Sequence, residues 1–263
     1  MKQFAAQVLD NRKIALDCYE IQFNWQNPEE IPLPGQFVTI RNSASSDPLL
    51  RRPFAVASYD PSGQNAALIY QLRGKATQEL SSKRKDEMID VLGPLGNGFP
   101  DPATGDGDLP NACVLVAGGT GIGPIFYLAR ELAAGPSHIS VIVGARDSTR
   151  LPVLPVPPRI DLVQCTEDGS LGFKGTSIDY LRTLPFRDGS SMMIFACGPE
   201  GMLAACHRFA EERSLRCWVS MEQVMGCGVG ACMGCAVRIH GEKKFARVCT
   251  EGPVFDSREI SWK

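Results

Sequence analysis

The sequence predicts an α+β multidomain protein with an N-terminal antiparallel β-barrel, a central parallel α/β nucleotide-binding sheet and a small C-terminal cysteine segment. Three observations carry this reading. Up to about residue 99, short β-rich runs alternate with turn clusters, and a short stretch at 77–82 is the one evident helix. Between 111 and 220, continuous apolar runs alternate with helical patterns, as in a sheet covered on both faces. Beyond 220, thiols and glycines are interleaved. The implied units are 1–99, a linker at 100–110, 111–220 and 221–263, and 263 residues suffice for about two domains and a small third.

Composition narrows the function classes. A net charge of −2 supplies no basic field, so nucleic acid is not a favoured partner. No apolar run approaches the ~20 residues that a spanning helix needs, and MKQFAAQVLDNRK lacks the apolar core of a secretory signal, so no membrane role is expected. Ten cysteines in such a chain point to a reducing compartment, read as cytoplasmic. The three histidines, His138, His207 and His240, are scattered, which leaves little for histidine-based hydrolysis.

In the first unit, strands are expected at 4–9, 19–23, 36–40, 54–58, 67–72 and 87–92, separated by turns such as Pro34-Gly35 and Gly93-Pro94. Arg51-Arg52-Pro53-Phe54-Ala55 stands out. An arginine before a proline-stiffened strand presents a guanidinium to a phosphate, and the extended backbone behind it offers polar groups to a planar ring. Gly74-Lys75-Ala76-Thr77 follows, with Thr77 expected to cap a helix whose free N–H groups face an anion. It is not a P-loop, because Ile69 stands where glycine is required and Ala76 where a magnesium-binding hydroxyl belongs.

The segment PDPATGDGDLP at 100–110 reads as a linker or surface loop. An apolar strand at 113–117 then leads into Gly118-Gly119-Thr120-Gly121-Ile122-Gly123-Pro124 and a helix. Glycines at 119 and 121 let backbone approach a pyrophosphate, and proline in place of the last glycine suits the first helical turn. Cys197-Gly198-Pro199 repeats the strand–loop–helix arrangement after a strand at 192–196. Ligands bind at the carboxyl ends of such strands, so Gly119, Thr120, Gly121, Cys197 and Gly198 can line one crevice for a nucleotide facing the first unit. Further strands are expected at 139–143, 161–165 and 217–220. Leu-Pro-Val-Leu-Pro-Val-Pro-Pro at 151–158 reads as a stiff connection, and 168–175 as a turn-rich approach to a helix at 177–181.

In the last unit Cys227, Cys232 and Cys235 follow C-x4-C-x2-C, and Cys249 completes the plant-type pattern for a 2Fe-2S cluster. Interleaved glycines permit a tight wrap that turns N–H groups toward sulfur. A zinc knuckle is the bland alternative. Zinc prefers two C-x2-C hairpins or Cys/His pairs, and here Cys232 and Cys235 form a single one. Alternation around Gly241 predicts a hairpin that delivers Cys249, and Ile260 and Trp262 in the polar tail dock either on the body or on a partner.

The order of Arg52-Pro53-Phe54-Ala55, Gly74-Lys75-Ala76-Thr77 and Gly93-Pro94-Leu95-Gly96-Asn97-Gly98-Phe99 resembles the FAD domain of the ferredoxin-NADP reductase superfamily. With the four cysteines, essentially the whole chain resembles the electron-transfer subunits of NAD-dependent, class 1B dihydroorotate dehydrogenases. That resemblance implies FAD held by Arg52, Pro53, Phe54, Ala55, Ile69, Tyr70, Gln71, Ala76 and Thr77. It also implies a 2Fe-2S cluster, NAD(H), and an FMN-containing catalytic partner that oxidises dihydroorotate in pyrimidine biosynthesis, two of each chain forming a heterotetramer. Substrate chemistry then lies in the partner, and no catalytic side chain is assigned here. Family members usually carry a hydroxyl residue at position 55, arginine at 71 and glycine at 76. Ala55 therefore removes a hydrogen bond to flavin, and Gln71 removes a charge near its phosphates. Two rivals stand beside this reading: a diaphorase-like subunit of a sulfide dehydrogenase, hydrogenase or NADH-ferredoxin enzyme, and a non-enzymatic redox sensor or zinc scaffold.

Overall fold

The computed structural model describes residues 1–42, 47–102, 110–185 and 192–262, so most of the expected 100–110 linker lies outside the described residues. The first strands are β1 (Lys2–Ala15), β2 (Cys18–Asn24), β3 (Phe37–Arg41), β4 (Arg52–Asp60), β5 (Asn65–Gln71) and β6 (Met88–Leu95), with α1 (Lys75–Ser81) between the last two. They close in the order β1-β2-β5-β4-β3-β6, each neighbour antiparallel. Alternation explains which face turns inward. Phe4, Ala6 and Val8 of β1 and Ile89 and Val91 of β6 are buried, and the residues between them are more exposed. Closure leaves no unpaired strand edge. β1 continues to Ala15, well past the expected residue 9. Asp10-Asn11-Arg12-Lys13 reads as loop by composition, yet it pairs with residues 19–22 of β2 on the outside of the barrel.

The second unit contains β7 (Ala112–Gly118), α2 (Ile122–Leu132), β8 (His138–Ala145), β9 (Ile160–Thr166), β10 (Phe173–Lys174), α3 (Ser177–Thr183), β11 (Met192–Cys197), α4 (Glu200–Glu212) and β12 (Arg216–Ser220). Their sheet runs β10-β9-β8-β7-β11-β12 and all these pairs are parallel. The chain steps outward from β7 to β9, then returns to place β11 on the other side of β7. Strand order thus reverses between β7 and β11, which opens a crevice at their carboxyl ends. Residues 113–118 are buried without alternation because helices cover both faces.

The C-terminal segment forms the expected hairpin, β13 (Ala236–Arg238) with β14 (Phe245–Arg247). It then adds β15 (Val254–Asp256) antiparallel to β12, an edge strand that three short, turn-flanked residues did not advertise. The tail returns to its own body. Ile260 is buried and bridges to Ile239, while Trp262 stacks on His207 at 5.6 Å between ring centroids. His138 is likewise spent locally, 2.9 Å from Asp161.

Barrel and sheet meet through α2. A Cβ on Gly123 would lie 2.9 Å from the Cβ of Ala57 in β4, so these two small residues let the helix press against the barrel. Tyr127 of α2 donates its hydroxyl to the Pro32 carbonyl at 2.6 Å. Among the described residues, no helix is long and apolar enough to cross a membrane.

Candidate functional site

Between barrel and sheet lies a cleft of about 510 Å³. The barrel contributes Arg52, Pro53, Phe54 and Ala55 from β4, Ile69, Tyr70 and Gln71 from β5, and 73–77 from the turn into α1. The sheet contributes Thr120, Gly121, Cys197 and Ser220 from the ends of β7, β11 and β12, followed by Met221, Glu222, Gln223 and Met225. Every barrel residue that the resemblance implied for FAD therefore lines one space. Gly119 and Gly198 stand outside its wall and shape the loops behind it, with φ of +58° and +159°.

The cleft has two chemical ends. Phe54, Ala55, Ile69 and Tyr70 form an apolar side suited to a planar ring, with Tyr70 fixed edge-on to Phe54 at 5.8 Å. Arg52, Arg73 and Lys75 supply cationic side chains suited to a pyrophosphate. Arg52 donates to backbone carbonyls and makes no ion pair among the described residues. Its neighbour Arg51 is instead committed to Asp90 outside the cleft. Arg73 leans over Gln71, donating to its Oε1 at 3.1 Å, so a guanidinium does occupy the region where position 71 lacks one. Lys75 is paired with Asp47 at 2.5 Å, whereas Arg52 and Arg73 make no ion pair among the described residues; space, a flat apolar wall and these two guanidinium groups together fit a flavin dinucleotide.

One expectation is corrected here. Thr77 is not the N-cap of α1; Gly74 is, and Thr77 sits a turn inside it. Its hydroxyl accepts from the N–H groups of Arg73 and Gly74 at 2.9 and 3.1 Å and donates to the Gly74 carbonyl. These two donors are thus taken by the side chain, because a threonine at the third helical position can reach back to the turn before it.

At the sheet side, the Cys197 thiol is pushed up to about 12 by burial first and the Glu222 charge second, against a hydrogen bond with Ser220. It packs as a neutral thiol at the cleft wall. Glu222 is an exposed residue on the cleft wall, and desolvation by the surrounding protein raises its pKa in spite of nearby Arg73. Arg73, Ser220, Glu222 and Met225 escaped the sequence reading. They lie at strand ends or in a connecting loop, where spacing carries no signal.

Two residues beyond Met225 begins the cysteine loop. The N–H groups of Val229, Ala231 and Cys232 donate to Cys227 Sγ at 3.5, 3.2 and 3.4 Å, Gly230 donates to Cys249 Sγ at 3.1 Å, and Gly234 to Cys232 Sγ at 3.4 Å. Burial opposes ionisation of Cys227, but these backbone donors and the Cys232 thiol outweigh it and bring the pKa down to about 6. Cys249 goes the other way, up to about 11, through burial and then the neighbouring Cys235 thiol. The thiols fall into two contacting pairs, Cys227 with Cys232 and Cys235 with Cys249. Among the described residues no three side chains are arranged to hold a metal ion. Pairwise thiols with N–H groups aimed at sulfur fit a binuclear iron–sulfur centre, which takes two thiolates on each iron.

Comparison with known proteins agrees with this geometry. Residues 222–261 match the iron-sulfur cluster binding domain of dihydroorotate dehydrogenase B. Over the whole chain, the protein is similar to a solved chain of an NADH-dependent reduced ferredoxin-NADP oxidoreductase, studied for flavin-based electron bifurcation, at TM-score 0.81 and 29% identity, covering 98% of this chain and 90% of that one. The cytochrome b5 reductase domain of Ulva prolifera nitrate reductase shares the fold at TM-score 0.65 and 19% identity, over 81% of this chain and 94% of that one. Among curated proteins, the dihydroorotate dehydrogenase B (NAD(+)) electron transfer subunit of Desulforamulus reducens is 37% identical over 100% of this chain and 99% of its own length, and that of a Geobacillus species is 36% identical over 99% of each. With such identity over its full length, the chain belongs to the family of dihydroorotate dehydrogenase B (NAD(+)) electron transfer subunits.

Proposed function

We propose that this chain carries electrons from an FMN-containing partner, which oxidises dihydroorotate to orotate, to NAD+ in the cytoplasm. The route uses a 2Fe-2S cluster on Cys227, Cys232, Cys235 and Cys249, FAD in the cleft and NAD(H) at the β7 and β11 loops. One observation carries this reading: the cleft wall and the cysteine loop are a single stretch of chain, Met225 lining the cleft and Cys227 opening the ligand set. Bound flavin supplies the conversion between single electrons and a hydride. The protein supplies position and charge.

Arg52 and Arg73 hold the pyrophosphate, Phe54, Ala55, Ile69 and Tyr70 seat the ring, and Pro53, Gln71, Ala76 and Thr77 complete that wall. Gly119, Thr120, Gly121, Cys197 and Gly198 take the nicotinamide nucleotide. Residues 1–99, 111–220 and 221–263 serve as flavin, nucleotide and cluster units. β15 ties the last to the second. Val224, Val229, Met233 and Phe245 are exposed apolar residues within or beside the cysteine segment, and they form the face that the catalytic subunit covers in a heterotetramer.

A hydride is two electrons and one proton, and a one-electron centre delivers no proton. Among cleft side chains, burial pushes the Cys197 thiol and the Tyr70 hydroxyl far above neutrality, so neither exchanges this proton readily. Glu222 is the carboxyl that can hold this proton. Its raised pKa keeps it protonated to higher pH than an ordinary glutamate, and the proton is lost as pH climbs through that value. Glu222→Gln is expected to slow coupled NAD+ reduction by about 10²-fold and to abolish the alkaline fall in its pH profile. An unchanged profile takes Glu222 out of the proton path.

The overall reading is tested with the isolated chain. It should reduce an artificial acceptor with NADH but fail to oxidise dihydroorotate, because that oxidation is assigned to the FMN-containing partner. Addition of the catalytic subunit should establish dihydroorotate-dependent NAD+ reduction; turnover of dihydroorotate by the chain alone would overturn the division of labour. The full-length likeness to a ferredoxin-NADP oxidoreductase favours one second reading, service to a different electron donor, and failure of the coupled assay with reduced ferredoxin active in its place would select it.

A further inference from the structure

Arg247 has a role that ligand spacing does not reveal. It lies in β14, opposite Ala236 and two residues before Cys249, so it borders both members of one thiol pair. Its guanidinium donates through Nη1 to the Gly230 carbonyl at 2.9 Å. The N–H of that same glycine points to Cys249 Sγ at 3.1 Å. One peptide segment is therefore gripped on both sides, by an arginine and by a cluster thiol. Gly230 is glycine for this reason. Its φ is +83°, and a Cβ there would lie 2.7 Å from Thr250 Cγ2 and 3.3 Å from Arg247 Nη1.

Glu251 aims the guanidinium. It accepts from the Arg247 backbone N–H at 2.7 Å, from Nε at 3.0 Å and from Nη2, while Thr250 adds its hydroxyl at 3.1 Å. Two parallel bonds fix the plane of the fork, which a lysine could not reproduce. Both side chains are about one-third exposed, at 33% and 38%, so solvent screens the pair without cancelling it.

We infer that Arg247 and Glu251 form a clamp that positions the 227–235 ligand loop through Gly230 and sets the reduction potential of the cluster by placing a compensated cation beside Cys235 and Cys249. The inference rests on the proposed 2Fe-2S site and assigns to it two residues that ligate nothing. Reduction adds one electron, hence one negative charge, to the centre. A nearby cation favours that charge and a nearby anion opposes it. The two members of the pair must then act with opposite sign, although both stabilise the same loop.

The test measures iron and acid-labile sulfide, the cluster midpoint potential and its electron paramagnetic resonance spectrum in Arg247→Gln, Glu251→Gln and the double variant, each with flavin content as a check on folding. Arg247→Gln should lower the potential and Glu251→Gln raise it, each by up to about a tenfold change in the reduction equilibrium, or about 59 mV for one electron. The double variant should return close to the unsubstituted value. Loss of iron from Arg247→Gln with flavin retained supports the clamp, and Glu251→Gln then carries the sign of the charge effect alone. Shifts of the same sign, or no shift in Glu251→Gln, overturn the inference. Absence of iron and sulfide from the unsubstituted protein instead refutes the cluster reading beneath it.

Discussion

Replacing Cys232 by serine is expected to remove the cluster, from about two iron and two sulfide atoms per chain to none, and with it the coupling of dihydroorotate oxidation to NAD+ reduction. The choice of cysteine matters. Cys235 and Cys249 are 2% exposed and belong to the hydrophobic core around β15 and α4, so replacing either disturbs packing as well as ligation. Cys232 is exposed, and its sulfur accepts one long bond, from Gly234 N–H at 3.4 Å. A substitution there should change folding stability by no more than about 0.5 kcal/mol, so loss of function reads as loss of the ligand. Flavin should stay, since the cleft is built by β4, β5 and the strand ends of the sheet.

NADH oxidation by a dye should therefore survive in Cys232→Ser at close to its normal rate, while the coupled reaction falls by at least about 10²-fold. This split is the informative result. A protein damaged as a whole would lose both activities, and a zinc scaffold would show neither sulfide nor coupling before substitution. Coupled turnover that persists without iron would mean that electrons reach the flavin by a path that bypasses the cysteine loop.

Legibility in the sequence followed the physics of each signal. Alternation and turn chemistry located all six barrel strands, and non-alternating apolar runs located β7, β8, β9, β11 and β12, because burial on one face or two leaves a direct pattern; the two-residue β10 lies in the stretch read as turn-rich and left no such pattern. The four cysteines proposed as ligands are equally plain in the sequence, since C-x4-C-x2-C is itself a spacing, and the structure brings them together as two contacting pairs. What escaped depends on long-range pairing. The polar half of β1 is a strand only because β2 lies beside it, and β15 only because β12 presents an open edge. Cleft residues such as Glu222 and Arg73 owe their position to the meeting of two units, which no local window records. Thr77 was misread for a smaller reason. A hydroxyl near a glycine turn caps from either side of the helix start, and sequence does not say which residue takes the first helical φ and ψ.

Gly121→Ala is expected to be the most damaging single methyl in the nucleotide crevice. Gly121 closes the turn after β7, and there its φ of −61° is open to any residue, so backbone freedom is not what requires glycine. Space is. A Cβ would fall 2.1 Å from the Cys197 carbonyl oxygen and 2.5 Å from its carbon, both main-chain atoms that cannot swing aside. The β7 and β11 loops would have to part, and overpacking of this kind costs about 1–3 kcal/mol. Because both loops are proposed to grip one nucleotide, the parted pair should bind NADH at least tenfold more weakly while flavin content is preserved. Gly201→Ala supplies the contrast. It lies in the first turn of α4 with nothing within 4 Å of its would-be Cβ, so alanine there should stabilise the fold by about 0.5–1 kcal/mol and leave NADH affinity alone. Equal NADH affinities in the two variants, measured by titrating the bound flavin's spectrum, would show that the contact between Gly121 and Cys197 does not shape the nucleotide site.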